Sequence, residues 1–172
     1  GFVGSIGGPY DERGTAIACL EKRWKMNDFR RPYYDVDMAR VYSQSKIVFN
    51  VTLGRILNMR IFEVPPCGAL LLTKRSDNGQ TELFEEGKHF DTFETLDELE
   101  SKVEYYLSYP EERERIAHAG QQWALTHHTY SHRALQIIET IDNHPGESSC
   151  APVRRWSPAT LHDHYSTIYS ML

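Results

Sequence analysis

Residues 46–73, from Lys46 to Thr73, read KIVFNVTLGRILNMRIFEVPPCGALLLT. Two short apolar runs bracket the stretch: Ile47-Val48-Phe49-Asn50-Val51 and Ala69-Leu70-Leu71-Leu72-Thr73. Each is continuous rather than alternating, as strands covered on both faces are. Between them Asn58 can cap a short helix through Glu63, which Pro65-Pro66 kink or stop. Strand, crossover and strand form a βαβ unit, and that unit implies a parallel sheet.

Outward from this unit the pattern repeats. Phe2-Val3-Gly4-Ser5 reads as a strand ending in the turn-rich Gly7-Gly8-Pro9. Asp11 is placed to cap a helix carrying Ile17, Leu20 and Trp24, and Asp35 to cap one carrying Met38 and Tyr42. A short strand is expected near residues 24–29, a short helix over 80–86 and a brief strand over 89–92. Thr95 and Glu98 then form a capping box ahead of Leu96, Leu99, Val103 and Leu107 at helical spacing. Pro110 opens a further helix, as proline at the first helical position does. One more helix is expected over 129–141, and residues 144–153 read as a linker to a last helix from Ser157. The expectation is an α/β, Rossmann-like parallel sheet with helices on both faces and extra C-terminal helices. Residues 1–142 would be the main domain. Residues 143–172 would be a linker and a helix packing on it or on a further domain.

The totals narrow the function classes. The 172 residues suffice for one α/β domain with a buried core. Nineteen Lys and Arg stand against 24 Asp and Glu, a net charge of −5, so a nucleic-acid backbone is not the expected partner. Three cysteines, Cys19, Cys67 and Cys150, match no zinc or redox spacing, which suits a reducing cytoplasm. No apolar run approaches the ~20 residues of a membrane span, and no signal peptide is visible. The chain opens on GFVGS without an initiator Met, which reads as a domain excised from a longer protein.

In parallel sheets ligands lie beyond the carboxyl ends of the strands. Three loops fall there, over residues 5–13, 51–58 and 73–80. In them Gly4 and Ser5 let a backbone approach a phosphate. Thr52, Leu53 and Gly54 offer backbone N–H groups. Arg13 is either a phosphate ligand or a solvated helix residue, and Arg55 is open in the same way. Arg60 and Glu63 are three apart on the expected helix and share a face. Arg60 lies in its first turn, where free N–H groups favour an anion, and a guanidinium grips a diphosphate bidentately. A surface ion pair is the alternative reading of the two.

Four segments carry a resemblance: NMRIFEVPPCGALLLT (58–73), ELFEEGKHFDTF (82–93), YYLSYPEERERIAHAG (105–120) and HTYSHR (128–133). In this order and spacing they resemble the C-terminal domain of group-1 glycosyltransferases, in particular the spore-maturation CgeB-like branch. FVGS and MARVYSQSKIVFNV (38–51) are similar to it as well. The resemblance implies a GT-B architecture, in which this half holds a nucleotide-diphosphate sugar and a separate N-terminal domain holds the acceptor. It implies no resident cofactor and no metal. Glu63 matches the second Glu of the family's Glu-x7-Glu pattern, similar to a ribose-binding position. The first falls at Arg55, a departure that bears on sugar-ring recognition. The site implied is therefore Arg60 and Glu63, with Gly4, Ser5, Arg13, Thr52, Gly54, Arg55 and Asn58 around the donor. A non-catalytic nucleotide- or sugar-binding module and a structural interaction domain are the alternatives.

Other residues have plainer readings. His118, His127, His128 and His132 lack an HExxH frame and read as surface or helix-start histidines rather than a metal site. Tyr105, Tyr106, Tyr109, Trp123 and Tyr130 are expected to pack helices. The Lys/Arg of the 111–120 segment are expected on a charged face, and Cys67 as a small buried residue before the turn at Gly68. Base recognition is expected near residues 27–34.

Overall fold

The computed structural model describes residues 1–4, 6, 12–52, 56–77 and 79–143. The expectations for Ser5, Asp11, Gly54 and Arg55, for the 144–153 linker and for the helix from Ser157 lie outside them. Two compact units are present, Gly1–Arg133 and Ala134–Leu172. In the second, the described part is the end of one helix, whose Leu135, Ile137, Ile138 and Ile141 are exposed.

The first unit is built on a parallel sheet of β1 (Ile47–Asn50), β2 (Leu70–Lys74) and β3 (Asp91–Phe93), in the order β1-β2-β3. The helices are α1 (Glu12–Leu20), α2 (Asp35–Ser43), α3 (Arg60–Glu63), α4 (Gln80–Leu83), α5 (Leu96–Ser108), α6 (Pro110–His127) and α7 (Tyr130–Asn143). A 3-10 turn, Pro65–Cys67, links α3 to β2 and ends at Gly68 in the left-handed conformation (φ 81). Proline has no N–H to continue α3, and glycine accepts the positive φ without steric cost.

Both faces of the sheet are covered, which is why the strands read as continuous apolar runs. Ile47, Phe49, Val51, Leu70 and Leu72 pack with Ile17 and Leu20 of α1, Leu99 and Val103 of α5, and Ile116 of α6. Val48, Ala69 and Leu71 face the other way, onto Tyr42 of α2, Ile61 of α3, Val64, Phe84, Phe90 and Ala124 of α6. The capping box at α5 forms: Glu98 N donates to Thr95 Oγ1 at 3.2 Å. Its return arm goes to Glu94 N rather than to Thr95 N. Where α6 passes the loop before β3, Gly120 leaves no room for a side chain. A Cβ there would stand 2.2 Å from the His89 carbonyl oxygen.

Several expectations are corrected. Residues 2–3 and 24–29 form no strand. Phe2 instead bonds a side chain: its N–H donates to Asn27 Oδ1 (2.8 Å), and Asn27 Nδ2 donates back to its carbonyl (2.7 Å). The Asn27 amide thus satisfies both backbone groups of Phe2. One residue earlier the segment bonds the β1 backbone directly: the Gly1 amino group donates to the Ile47 carbonyl, and Phe49 N–H donates to the Gly1 carbonyl at 3.2 Å. Asp35 is the first residue of α2, preceded by Tyr34, and no side chain caps that end. Arg113 is buried at 6% exposure, its Nη1 donating to the Tyr106 carbonyl, so the 111–120 segment is not wholly a charged surface. Tyr105, Tyr109 and Tyr130 are exposed, whereas Tyr106 is buried and hydrogen-bonded to Asp91. Cys67 is half-buried.

Candidate functional site

Asn50 and Thr73 are register partners where β1 and β2 reach their carboxyl ends. Each is the polar residue that follows an apolar run, and both are buried. Their side chains meet: Asn50 Nδ2 donates to Thr73 Oγ1 at 3.0 Å. Asn58 joins from the loop before α3. Its Nδ2 donates to Asn50 Oδ1 at 2.9 Å, and its Oδ1 accepts from the Arg60 backbone N–H at 3.2 Å. Asn58 therefore does the work of a cap for α3, although Met59 stands at the formal cap position.

Arg60 completes the cluster. Its Nη1 donates to Asn50 Oδ1 at 3.0 Å, and its Nε donates to the Val3 carbonyl at 2.8 Å, a contact Nη2 shares. The guanidinium lies over the Phe2 ring, 5.4 Å from its centroid, and its charge is felt at the Tyr42 hydroxyl. Because a guanidinium carries only donors, the Asn50 atom facing it is the oxygen. Gly4 makes the approach possible. It has φ 152, and a Cβ there would fall 2.1 Å from Arg60 Nη2. Arg13 of α1 comes to the same rim, its Nε donating to the Val51 carbonyl at 2.8 Å. That replaces the solvated-helix reading of Arg13. Thr52 is buried next along the chain.

The structure thus brings Gly4, Arg13, Thr52, Asn58 and Arg60 to the carboxyl rim of β1. Two physical expectations change. α3 is one turn long, too short to sum many peptide dipoles, so the positive charge at this rim comes from the Arg60 and Arg13 guanidiniums rather than from the helix. The surface ion pair is not what forms either, since the Arg60 guanidinium bonds Val3 and Asn50. Glu63 is half-buried; desolvation raises its pKa, and the nearby Arg60 partly opposes the rise. Burial also pushes the Tyr42 hydroxyl up to about 12, so it stays a neutral phenol. Sequence reading missed Asn50, Thr73 and Tyr42. The signal was there: two adjacent apolar strands each end in an amide or hydroxyl residue.

A cavity of about 700 Å³ opens beside Gly1 and the start of β1, lined by Leu20, Trp24, Asn27, Arg31, Tyr33 and Lys46 among others. It takes in part of the stretch expected to read the base but none of the rim residues. Among the described residues no three His, Cys, Asp or Glu side chains group as a metal site would require. His128 instead donates through Nε2 to the Leu83 carbonyl and stacks on Phe84. No described helix is long and apolar enough to cross a membrane.

A parallel sheet wrapped by helices, with its polar cluster at the strands' carboxyl ends, is the Rossmann-like half of a GT-B fold. The chain belongs to the glycosyl transferase-like family, whose model matches residues 2–139. It is similar in structure to Anabaena HepE in complex with UDP-glucose, with TM-score 0.58, 18% identity, and 64% of this chain against 31% of that one. The same protein in complex with UDP gives 0.57, 19%, 63% and 30%. A glycosyltransferase from Rickettsia africae gives TM-score 0.58 and 16% identity over 77% of this chain and 35% of that one. The chain therefore spans about a third of the length of these structures. None of the curated proteins matches it.

Proposed function

We propose that this chain is the donor-binding domain of a glycosyltransferase. It holds a nucleotide-diphosphate sugar, while a separate domain of the same protein holds an acceptor that is a glycan, a protein or a small molecule. The observation that carries the reading is Arg60, a half-buried cation fixed at the carboxyl rim of β1 by neutral acceptors. The glycosyl transferase-like family and the UDP-bound Anabaena relative support it. Arg60 binds the diphosphate, and Gly4 and Ser5 allow close approach of the backbone. Arg13, Arg55, Thr52, Gly54 and Asn58 complete the phosphate side, and Glu63 accepts from the ribose hydroxyls.

Chemically this half stabilises a leaving group. As the sugar–phosphate bond breaks, negative charge grows on the diphosphate, and a preorganised guanidinium lowers the barrier. In keeping with the resemblance, the reading uses no metal and no resident cofactor, and it places the protein in the cytoplasm. Hexosyl transfer and the CgeB-like branch belong to the same proposal.

Calorimetry with UDP, GDP, TDP and ADP tests it. Arg60→Ala is expected to weaken every diphosphate. Glu63→Ala is expected to weaken ribose nucleotides more than deoxyribose ones. If neither change moves any affinity, the assignment of the site is wrong.

A further inference from the structure

Most arginines described here bond a carboxylate: Arg23, Arg30, Arg40, Arg75, Arg113 and Arg115 each do. Arg60 does not. Its hydrogen-bond partners are the Val3 carbonyl and the Asn50 amide oxygen, both neutral. Glu63 feels its charge, one turn away, without bonding it. The central acceptor is Asn50, only 2% exposed. Four contacts set its amide: Arg60 and Asn58 on the oxygen, Thr73 and Asn58 on the nitrogen. An aspartate has nearly the same shape and would hold the guanidinium more strongly, yet the position carries the uncharged isostere. We infer that Asn50 is a positioning residue that fixes the Arg60 guanidinium while leaving its positive charge uncancelled, so that the charge is available to the diphosphate of a bound nucleotide.

The inference rests on the donor-binding reading above. Its physical content is a separation of two roles that an acidic residue would merge. A carboxylate within hydrogen-bond distance would orient the guanidinium and cancel most of its field at the ligand. An amide orients it through one lone pair and leaves the field in place. Stability and affinity should therefore rank the two variants in opposite orders: Asn50→Asp should be more stable than Asn50→Ala and the weaker binder of a diphosphate. Asn50→Asp keeps the shape and gains an ion pair; the Thr73 hydroxyl can turn to donate, and the long 3.3 Å bond to Asn58 Oδ1 is given up. Asn50→Ala loses the contact and opens a hole, but leaves the charge free.

The test uses the full chain, UDP and uridine as probes, NMR titration for affinity and thermal unfolding for stability. The expected result for Asn50→Asp is a loss of UDP affinity of about tenfold or more, with uridine affinity held within about twofold. It should also melt above Asn50→Ala while binding UDP more weakly than Asn50→Ala does. Four results would overturn the inference. UDP and uridine binding falling together would show a merely structural role. Affinity losses that follow the order of melting temperatures would show the same. An Asn50→Asp chain that binds UDP as the parent does would show that the charge is not used. An Asn50→Asp chain that no longer unfolds cooperatively would show that the cluster does not tolerate the carboxylate as argued. A parent chain that binds neither UDP nor uridine is a different outcome: it removes the donor-binding reading and the inference with it.

Discussion

Replacing Gly4 by alanine probes the rim most directly. Gly4 sits at φ 152, where an L side chain is strained, and an added Cβ would lie 2.1 Å from Arg60 Nη2. The backbone term is about 1–2 kcal/mol. The contact term follows from the guanidinium having to retreat by more than an ångström, which breaks its bonds to the Val3 carbonyl. Bonds from a charged donor are worth about 1.5–3 kcal/mol, but this arginine is only half-buried and water can replace part of the loss. About 1 kcal/mol is the reasonable remainder. The sum, about 2–3 kcal/mol, corresponds to a fall in Tm of about 5–10 °C for a domain of this size. Gly87→Ala supplies the control. Gly87 has φ 76 with nothing within 4 Å of a Cβ, so it carries the backbone term alone. Urea unfolding of both variants, with UDP calorimetry on each, separates the terms. Gly4→Ala should be less stable than Gly87→Ala by about 1 kcal/mol and bind UDP about tenfold more weakly. If the two variants match in stability and both bind UDP as the parent does, the close approach of Gly4 to Arg60 has no energetic consequence and the reasoning fails.

Three further outcomes are expected. Gly120→Ala pushes a methyl group against the His89 carbonyl, which is backbone and cannot step aside; urea unfolding should show a loss of about 1–3 kcal/mol. His128 has its pKa lowered, first by burial and then by the Arg133 charge. Its stabilising neutral form is therefore lost as pH falls below the ordinary value of 6.5 through the lowered one, and His128→Gln should flatten the decline in Tm between pH 7 and pH 5. Glu63 has its pKa raised by desolvation. Its favourable protonated form is present below the unfolded value of about 4.5 and is lost as pH rises through the folded value. Glu63→Gln should therefore raise stability at neutral pH, and the gap to the parent should close toward pH 4.5. A constant gap would mean the carboxylate is as well solvated folded as unfolded.

The parts of the fold legible in the sequence are those with a local physical signal. β1 and β2 were visible because burial on two faces leaves an uninterrupted apolar run. The starts of α5 and α6 were visible because Thr95, Glu98 and Pro110 act on their own turn of backbone. Asn58, Arg60 and Arg13 were legible as rim residues because parallel topology puts those loops on one side. What was not legible depends on partners distant in sequence. Nothing near Phe2 says that Asn27, 25 residues away, will bond both its N–H and its carbonyl. Nothing near Arg113 says that the end of α5 will place a carbonyl over it. The tyrosines looked like packing residues because aromatic character carries no sign of which face of a helix will be covered. Asn50 was passed over because a polar residue at the end of a strand is indistinguishable in one dimension from the start of a loop.

The Asn27 amide has a mechanical consequence. A backbone ladder offers many equivalent alignments, since a strand shifted by two residues finds the same pattern of donors and acceptors again. The Asn27 carboxamide, gripping both backbone groups of Phe2, fits a single alignment and adds it to the two backbone bonds that Gly1 makes with Ile47 and Phe49. The leading segment therefore cannot slide along the sheet by a notch and settle, and the Val3 carbonyl is held at one height beneath Arg60. Cutting that clasp by Asn27→Ala would leave the arginine intact and move the surface it rests on.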